Sequence, residues 1–210
     1  MYRLEDPPVG EHIREERTKR GISLRHLARS VGVSASLISQ IETGKCRPSV
    51  STLYALTTAL GVSIEDVFEA RGDGPGALIG ATGAGSCPAP ASPLTTLAAV
   101  AGPLARPGER EVLELDSGVT WERLGHVPGG GVDFLLVTYA PGASSSAAGD
   151  LMRHSGAEYG YLLDGELVVT LGSQEHRLTA GTSVSFSSST PHRYANDARQ
   201  PAVGVWFVSA

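Results

Sequence analysis

Cysteine is almost missing from this chain of 210 residues: Cys46 and Cys87 are the only two, too few for the disulfide framework that braces small secreted domains. Cys46, between Lys45 and Arg47, reads as an incidental loop residue rather than a redox switch. Long apolar runs are missing too. The N-terminus has no apolar stretch of the kind a secretory leader carries. The moderately apolar segment 94–104 is shorter than a membrane span and holds no long run of Leu or Phe. A cytoplasmic protein with no membrane association is the expectation. Lysine is equally scarce, with Lys19 and Lys45 the only two. An overall excess of positive charge is also absent. The formal net charge is −5, an average that argues against a nucleic-acid partner until it is resolved along the chain.

Resolved in that way, charge is unevenly placed. Between Arg17 and Arg47 the basic residues are Arg17, Lys19, Arg20, Arg25, Arg29, Lys45 and Arg47, and Glu42 is the single acid. The acids of this half sit outside the stretch, from Glu5 to Glu16 before it and from Glu65 to Glu69 after it. Contact with phosphates requires such a local positive excess; a solvated helical surface is the plainer explanation. The same stretch carries two short amphipathic periods. Leu24, Leu27, Ala28 and Val31 form one buried stripe, and Gly32 interrupts it. Ser34 is placed to cap a second helix with Leu37, Ile38 and Ile41 inward and Ala35, Ser36, Ser39 and Gln40 outward. Those outward side chains are short, which lets a helix backbone approach base edges in a major groove. Flanking helices are expected over 10–20 up to Gly21, after Ser49 with Leu53, Leu56 and Leu60 up to Gly61, and after Ser63. There Asp66 completes a capping box and Ile64, Val67 and Phe68 close the core.

The run SxSLISQIExGKxxPS from Ser34 to Ser49, with the helices around it, resembles the helix-turn-helix domain of the Xre family, related to the phage lambda and 434 repressors. The resemblance covers about residues 9–69. It implies a five-helix N-terminal domain, expected over 9–70, that binds double-stranded DNA. Lys45 and Arg47 would touch the backbone and Ser36, Ser39 and Gln40 would meet base edges, with Arg25, Ser34 and Ala35 completing the DNA-binding set. Gln40 alone on the outward face can make a strong bidentate base contact. A homodimer on a palindromic operator is therefore expected, its half-sites about one helical turn apart, with some specificity drawn from DNA shape.

Composition changes after Arg71. Residues 71–106 are rich in Gly, Pro, Ala, Ser and Thr and nearly free of charge, the composition of a linker with mobility over part of it. Beyond it the period shortens. EVLEL, VTWERL, VDFLLVTYA, EYGYLLDGELVVTL, EHRL, SVSF and AVGVWFV read as strands of an all-β sandwich or barrel over 107–210. Asp164-Gly165 is the strong hairpin signal and Gly172-Ser173 the weaker one. Alternation places Tyr194 on the same side as His192 and turns Arg153 away from His154.

His154, Glu158 and Gly165 in this half resemble the latter part of the first cupin motif, and Gly181, Pro191, His192 and Asn196 resemble the second. The resemblance implies a double-stranded β-helix barrel with converging motif side chains. It would place a first histidine at position 152, where this chain has Met152, a poor partner for hard divalent ions. The implied site is thus reduced to His154, Glu158 and His192, a facial set able to hold iron, zinc or nickel with positions left open. A metal-free pocket in which these groups hydrogen-bond one another or an organic ligand stands beside it. Met152, Tyr161, Tyr194 and Trp206 are expected to line the pocket, with Tyr159 and Trp121 as further candidates. Ser187 and Ser189, standing where the second motif has Pro and Gly, are expected to loosen the turn before His192. His12, His26, His126 and His176 are read as surface residues.

Together the halves imply a transcriptional regulator whose barrel senses a small-molecule effector or a metal, with no catalytic residue assigned. A helix-turn-helix domain joined to an iron cupin also resembles hydroxypropylphosphonic acid epoxidase, in which His154, Glu158 and His192 would be the iron ligands. That reading needs a substrate-binding lysine from the helical domain, and Lys19 and Lys45 are better explained by phosphate contacts. A barrel that only dimerises the DNA reader is the third alternative.

Overall fold

Serine side chains begin three of the helices. Ser23 Oγ accepts from the His26 amide, Ser34 Oγ from Leu37 and Ser49 Oγ from Thr52. Each pairs a donor that a first helical turn leaves without a partner, a contribution of about 1 kcal/mol apiece. The computed structural model describes residues 9–69, 104–127, 130–146 and 149–209; the expected linker, 71–106, lies outside the described residues as far as 103. The helices are α1 (Val9–Lys19), α2 (Leu24–Val31), α3 (Ala35–Glu42), α4 (Val50–Leu60) and α5 (Ile64–Glu69). Gly32 and Gly61 end α2 and α4 in the left-handed conformation. The capping box before α5 is present, with Asp66 N donating to Ser63 Oγ at 3.0 Å and Ser63 N to the Asp66 carboxylate at 2.7 Å.

Ile13, Leu27, Ile38, Ile41, Leu53 and Leu56 are sealed at the centre of the helical domain. One ion pair is sealed with them. Arg17 Nε donates to Glu42 Oε1 at 2.6 Å and Nη2 to Oε2 at 2.9 Å, while Nη1 donates to the Ile22 carbonyl. Only 13% of the Arg17 side chain and 4% of the Glu42 side chain are exposed. This corrects the charge reading, because Arg17 binds α1 to the end of α3 and is not offered to phosphate.

The second half is built of antiparallel strands in two sheets, as the resemblance implies. Its strands are β1 (Val112–Glu114), β2 (Val119–Gly125), β3 (Val132–Tyr139), β4 (Ala157–Asp164), β5 (Glu166–Leu171), β6 (Gln174–Thr179), β7 (Ser183–Ser187), β8 (His192–Ala195) and β9 (Ala202–Ser209). They form a six-stranded sheet in the order β1-β2-β3-β9-β4-β7 and a three-stranded sheet in the order β6-β5-β8. Inward residues alternate along β4, β8 and β9, and Trp121, Leu135, Val137, Leu162, Val169 and Trp206 are buried.

Two expectations about turns exchange places. Gly172-Ser173 makes the tight hairpin, since Leu171 pairs with Gln174 across it. Asp164-Gly165 makes none, because β4 pairs with β7 and β9 while β5 pairs with β6 and β8. The chain turns a corner between sheets at Gly165, where φ is +79° and a Cβ would lie 2.3 Å from the Pro201 carbonyl oxygen. A local dipeptide signal reports a bend with positive φ; which strands pair afterwards is decided by their apolar faces. Strand β8 carries the expected alternation, with His192 and Tyr194 on the same, inward side. It is short, and neither inward residue is aliphatic.

Replacing Glu42 by Ala strands the buried Arg17 guanidinium. The expected loss in urea unfolding is about 3–5 kcal/mol, with Arg17→Ala similarly costly.

Candidate metal centre and DNA-reading surface

Three side chains meet where the first-motif strand approaches β8. Met152 and His192 exchange backbone hydrogen bonds of 2.9 and 3.0 Å, which pins the segment before β4 against β8 and sets His154 beside His192. Nε2 of His154 and Nε2 of His192 both lie 2.9 Å from Glu158 Oε1. All three residues are shielded, with side-chain exposures of 5%, 0% and 3% for His154, His192 and Glu158.

The proton positions follow from the outer partners. His192 Nδ1 lies 2.8 Å from the Thr190 carbonyl and His154 Nδ1 3.0 Å from the Ser155 carbonyl. A carbonyl can only accept, so each Nδ1 carries a hydrogen, and both Nε2 atoms turn toward the same carboxylate oxygen. A second proton on His154 would let it donate to Glu158, yet His192 Nε2, wholly buried, would still have no hydrogen-bond partner. A divalent ion among the three atoms satisfies both imidazoles at once. Ligand atoms that share one ion through bonds of about 2.1 Å at right angles stand about 3.0 Å apart, in keeping with the two N···O distances here, and all three atoms lie within 4.8 Å of one another. The donor set fits a metal.

Glu158 is prepared for that role. Burial opposes its charge, but the His154 and His192 rings beside Oε1 outweigh it and hold the carboxyl down at about 2. Its other oxygen, Oε2, accepts from the Tyr194 hydroxyl at 2.8 Å, and that hydroxyl accepts from Trp206 Nε1 at 3.2 Å. Burial and the neighbouring Glu158 charge push the Tyr194 hydroxyl upward, so it stays a donor. Trp206 sits in a notch between Gly160 and Gly204, where a Cβ would lie 2.6 and 2.3 Å from its ring.

The space remaining beside these groups is about 20 Å³, room for a water molecule or an ion. Met152, Tyr194 and Trp206 line it, together with Trp121 and Tyr139. Tyr161 does not: it is 48% exposed, and Tyr159 is 56% exposed. Both alternate with Glu158, Gly160 and Leu162 along β4, so a strand that turns Glu158 inward turns both tyrosines outward. Among the histidines read as superficial, His26 and His176 are exposed, whereas His12 and His126 are half-buried. The serine turn before His192 is bonded rather than loose. Thr190 N donates to the Ser187 carbonyl, the Ser187 and Ser189 hydroxyls lie 2.8 Å apart, and the Ser188 carbonyl accepts from His154 N.

The lining also includes Val50 and Tyr54 of α4. The Tyr54 ring stacks flat on His154, centroids 4.1 Å apart and planes within 2°, and meets Trp121 edge-on at 5.9 Å. Neither residue was anticipated. A signal was present, since Val50 and Tyr54 lie four residues apart and form a second apolar face on a helix whose Leu53, Leu56 and Leu60 already face the helical core.

On α3, Ser36 and Gln40 are exposed, Ala35 and Ser39 half-buried, and exposed Ser34 spends its hydroxyl on the cap. Arg25 and Lys45 are exposed as well. Lys19 and Arg20 both pair with Glu16, whose carboxyl they hold at about 2, and Arg47 pairs with Glu114 on β1. The available positive surface is thus smaller than the sequence count.

Residues 13–67 match the helix-turn-helix family and residues 135–208 the cupin domain family. An uncharacterised HTH-type transcriptional regulator from Archaeoglobus fulgidus is 39% identical over 56 residues, which make up 27% of this chain and 80% of that protein. The chain belongs to the HTH-type transcriptional regulators. Among these regulators, PuuR of Escherichia coli is 27% identical over 191 residues, 89% of this chain and 86% of that one, and so spans both halves. The crystal structure of an HTH_3 family transcriptional regulator from Vibrio cholerae shares the fold, with a TM-score of 0.62 at 21% identity over 96% of this chain and 94% of that chain.

Tyr194→Phe removes one donor from buried Glu158 and one acceptor from Trp206. The expected cost, read from urea unfolding of the metal-free protein, is about 2 kcal/mol.

Proposed function

We propose that this regulator is a metal-centred one-component switch of the cytoplasm. Two copies bind a palindromic operator through helical domains ending near residue 70, and barrels beginning near residue 107 report the state of a divalent ion held by His154, Glu158 and His192. The observation that carries this reading is the pair of buried Nε2 atoms directed at one ionised carboxylate oxygen. Two imidazoles and a carboxylate suit Fe(II), Zn(II) or Ni(II), and a three-residue set leaves positions for water or an effector. When bound, the ion supplies a Lewis-acidic anchor for an oxygen donor. The neighbouring Met152 thioether contributes a soft, apolar wall.

On DNA, the outward residues of α3, Ser36, Ser39 and Gln40, meet base edges, with Ser34 and Ala35 letting the helix backbone come close. Arg25 and Lys45 meet phosphates, and Arg47 joins them once it leaves Glu114. Dimerisation is assigned to the outer face of the six-stranded sheet. There Phe134 stacks on Phe207 at 4.3 Å and Phe207 registers with Tyr159. Phe207 and Tyr159 are exposed and Tyr161 and Leu163 extend the patch, a self-complementary apolar surface of the kind two copies bury. An enzymatic reading has less support, since no lysine lines the cavity among the described residues and the relatives are regulators. No helix among the described residues is long and apolar enough to cross a membrane.

Titration calorimetry with Zn(II) and Fe(II) is expected to give about one ion per chain, lost in His192→Ala and in Glu158→Gln, with operator affinity differing between metal-loaded and chelator-treated protein. Equal DNA affinity in the two states would overturn the switch, and oxygen consumption by the Fe(II) form with a candidate substrate would favour the enzyme. Lys45→Ala should lower the slope of log K against log salt by about 1 with little change in sequence preference. Phe207→Glu should yield a monomer in sedimentation that retains its metal.

A further inference from the structure

Helix α4 belongs to the DNA-reading domain, yet it closes the barrel. Its Ser51 amide, a donor that the first helical turn leaves free, bonds the Ser145 carbonyl at 2.9 Å. Ser145 in turn is tied to β8 on both sides of its own backbone: Ser145 N donates to the Tyr194 carbonyl and Tyr194 N donates to Ser145 Oγ. The Pro48 carbonyl accepts from Asp116 N at 3.0 Å, Arg47 pairs with Glu114, and the Arg123 guanidinium lies 5.4 Å over the Phe68 ring. These docking contacts are few and mostly polar. The apolar part of the contact is concentrated in Val50 and Tyr54, which enter the cavity wall.

We infer that Tyr54 is a lid, occupying the place that a planar carboxylate bound to the ion would take, so that ligand entry and docking of the helical domain exclude one another. This rests on the metal reading above. Size is the first support. The remaining space of about 20 Å³ admits a water or a small anion and nothing larger, and Val50 and Tyr54 are the lining residues that do not come from the barrel. Withdrawal of the Tyr54 ring vacates the volume of an aromatic ring against the face of His154, where a flat ligand finds the same stacking partner. Charge is the second. A divalent ion with one carboxylate is left with a positive charge, and apart from Glu158 and its ion the cavity is lined by apolar groups and tyrosine hydroxyls. An anionic oxygen donor is what such a centre accepts. Because α4 shares its core with α2 and α3, withdrawal of Tyr54 carries the DNA-reading face with it and releases Arg47 from Glu114.

The test uses the full chain loaded with Co(II), whose visible absorption reports its ligands, and two probes, azide and benzoate. Azide fits beside Tyr54 and is expected to perturb the spectrum equally in wild type, Tyr54→Ala and Tyr54→Phe. Benzoate is expected to bind Tyr54→Ala about tenfold more tightly than wild type, with Tyr54→Phe close to wild type because the stacked ring is kept. Glu114→Lys, an exposed change outside the cavity that repels Arg47, is expected to tighten benzoate binding in the same direction. Equal benzoate affinity in wild type, Tyr54→Ala and Glu114→Lys, with the Co(II) spectrum showing the ion in place, overturns the lid alone. Absence of any Co(II) spectrum in the wild type overturns the metal reading and the lid together.

Discussion

A carboxylate held ionised inside an apolar barrel is the constraint around which the β half of this regulator is arranged. Burying an unpaired charge costs several kcal/mol, and Glu158 is 3% exposed. Its compensation is built from every side. Two imidazoles face Oε1, and the Tyr194 hydroxyl, itself supported by the Trp206 indole, bonds Oε2. The backbone carbonyls of Thr190 and Ser155 fix which ring nitrogens carry hydrogen. The serine-rich turn before β8 and the glycines beneath Trp206 are parts of the same arrangement, since each positions a group one or two bonds removed from that carboxylate.

The helical half has an analogous buried charge, and it serves a different end. Arg17 and Glu42 join the start of the domain to the end of the reading helix, so α1 and α3 move as one piece. Helix α4 completes that piece on one side and enters the barrel on the other. A single eleven-residue helix thereby belongs to two cores, with Leu53, Leu56 and Leu60 in one and Val50 and Tyr54 at the edge of the other.

Much of this was legible in the sequence because the signals were local and repeated. Serine caps, the Ser63–Asp66 box and the leucine stripes each follow from spacing alone, and the structure reproduces them. His154, Glu158 and His192 were named from their motif spacing, and the fold brings them together. What escaped depended on pairings distant in sequence. Gly165 looks like a hairpin because its dipeptide demands a bend, but the partners of β4 and β5 are chosen elsewhere. The alternation of His192 and Tyr194 was legible, but a strand this short with a histidine and a tyrosine inward lacks the apolar run that marks the others. Tyr161 was placed in the pocket by residue type, and the period of two fixed by Glu158 puts it outside. Arg17 and Arg47 add to the positive count along the sequence, yet Glu42 and Glu114, far away in sequence, pair with them.

The second apolar face of α4 separates two kinds of change in this family. Among the described residues no hydrogen bond or ring contact ties the outward residues of α3 to the barrel, so the residues proposed to meet base edges can be exchanged while the barrel is left as it was. Val50 and Tyr54 are the reverse case, reshaping the chamber beside Glu158 without altering any side chain on the outward face of α3. A lineage can therefore acquire a new regulon and a new chemical cue in separate steps, each by substitutions confined to one helix.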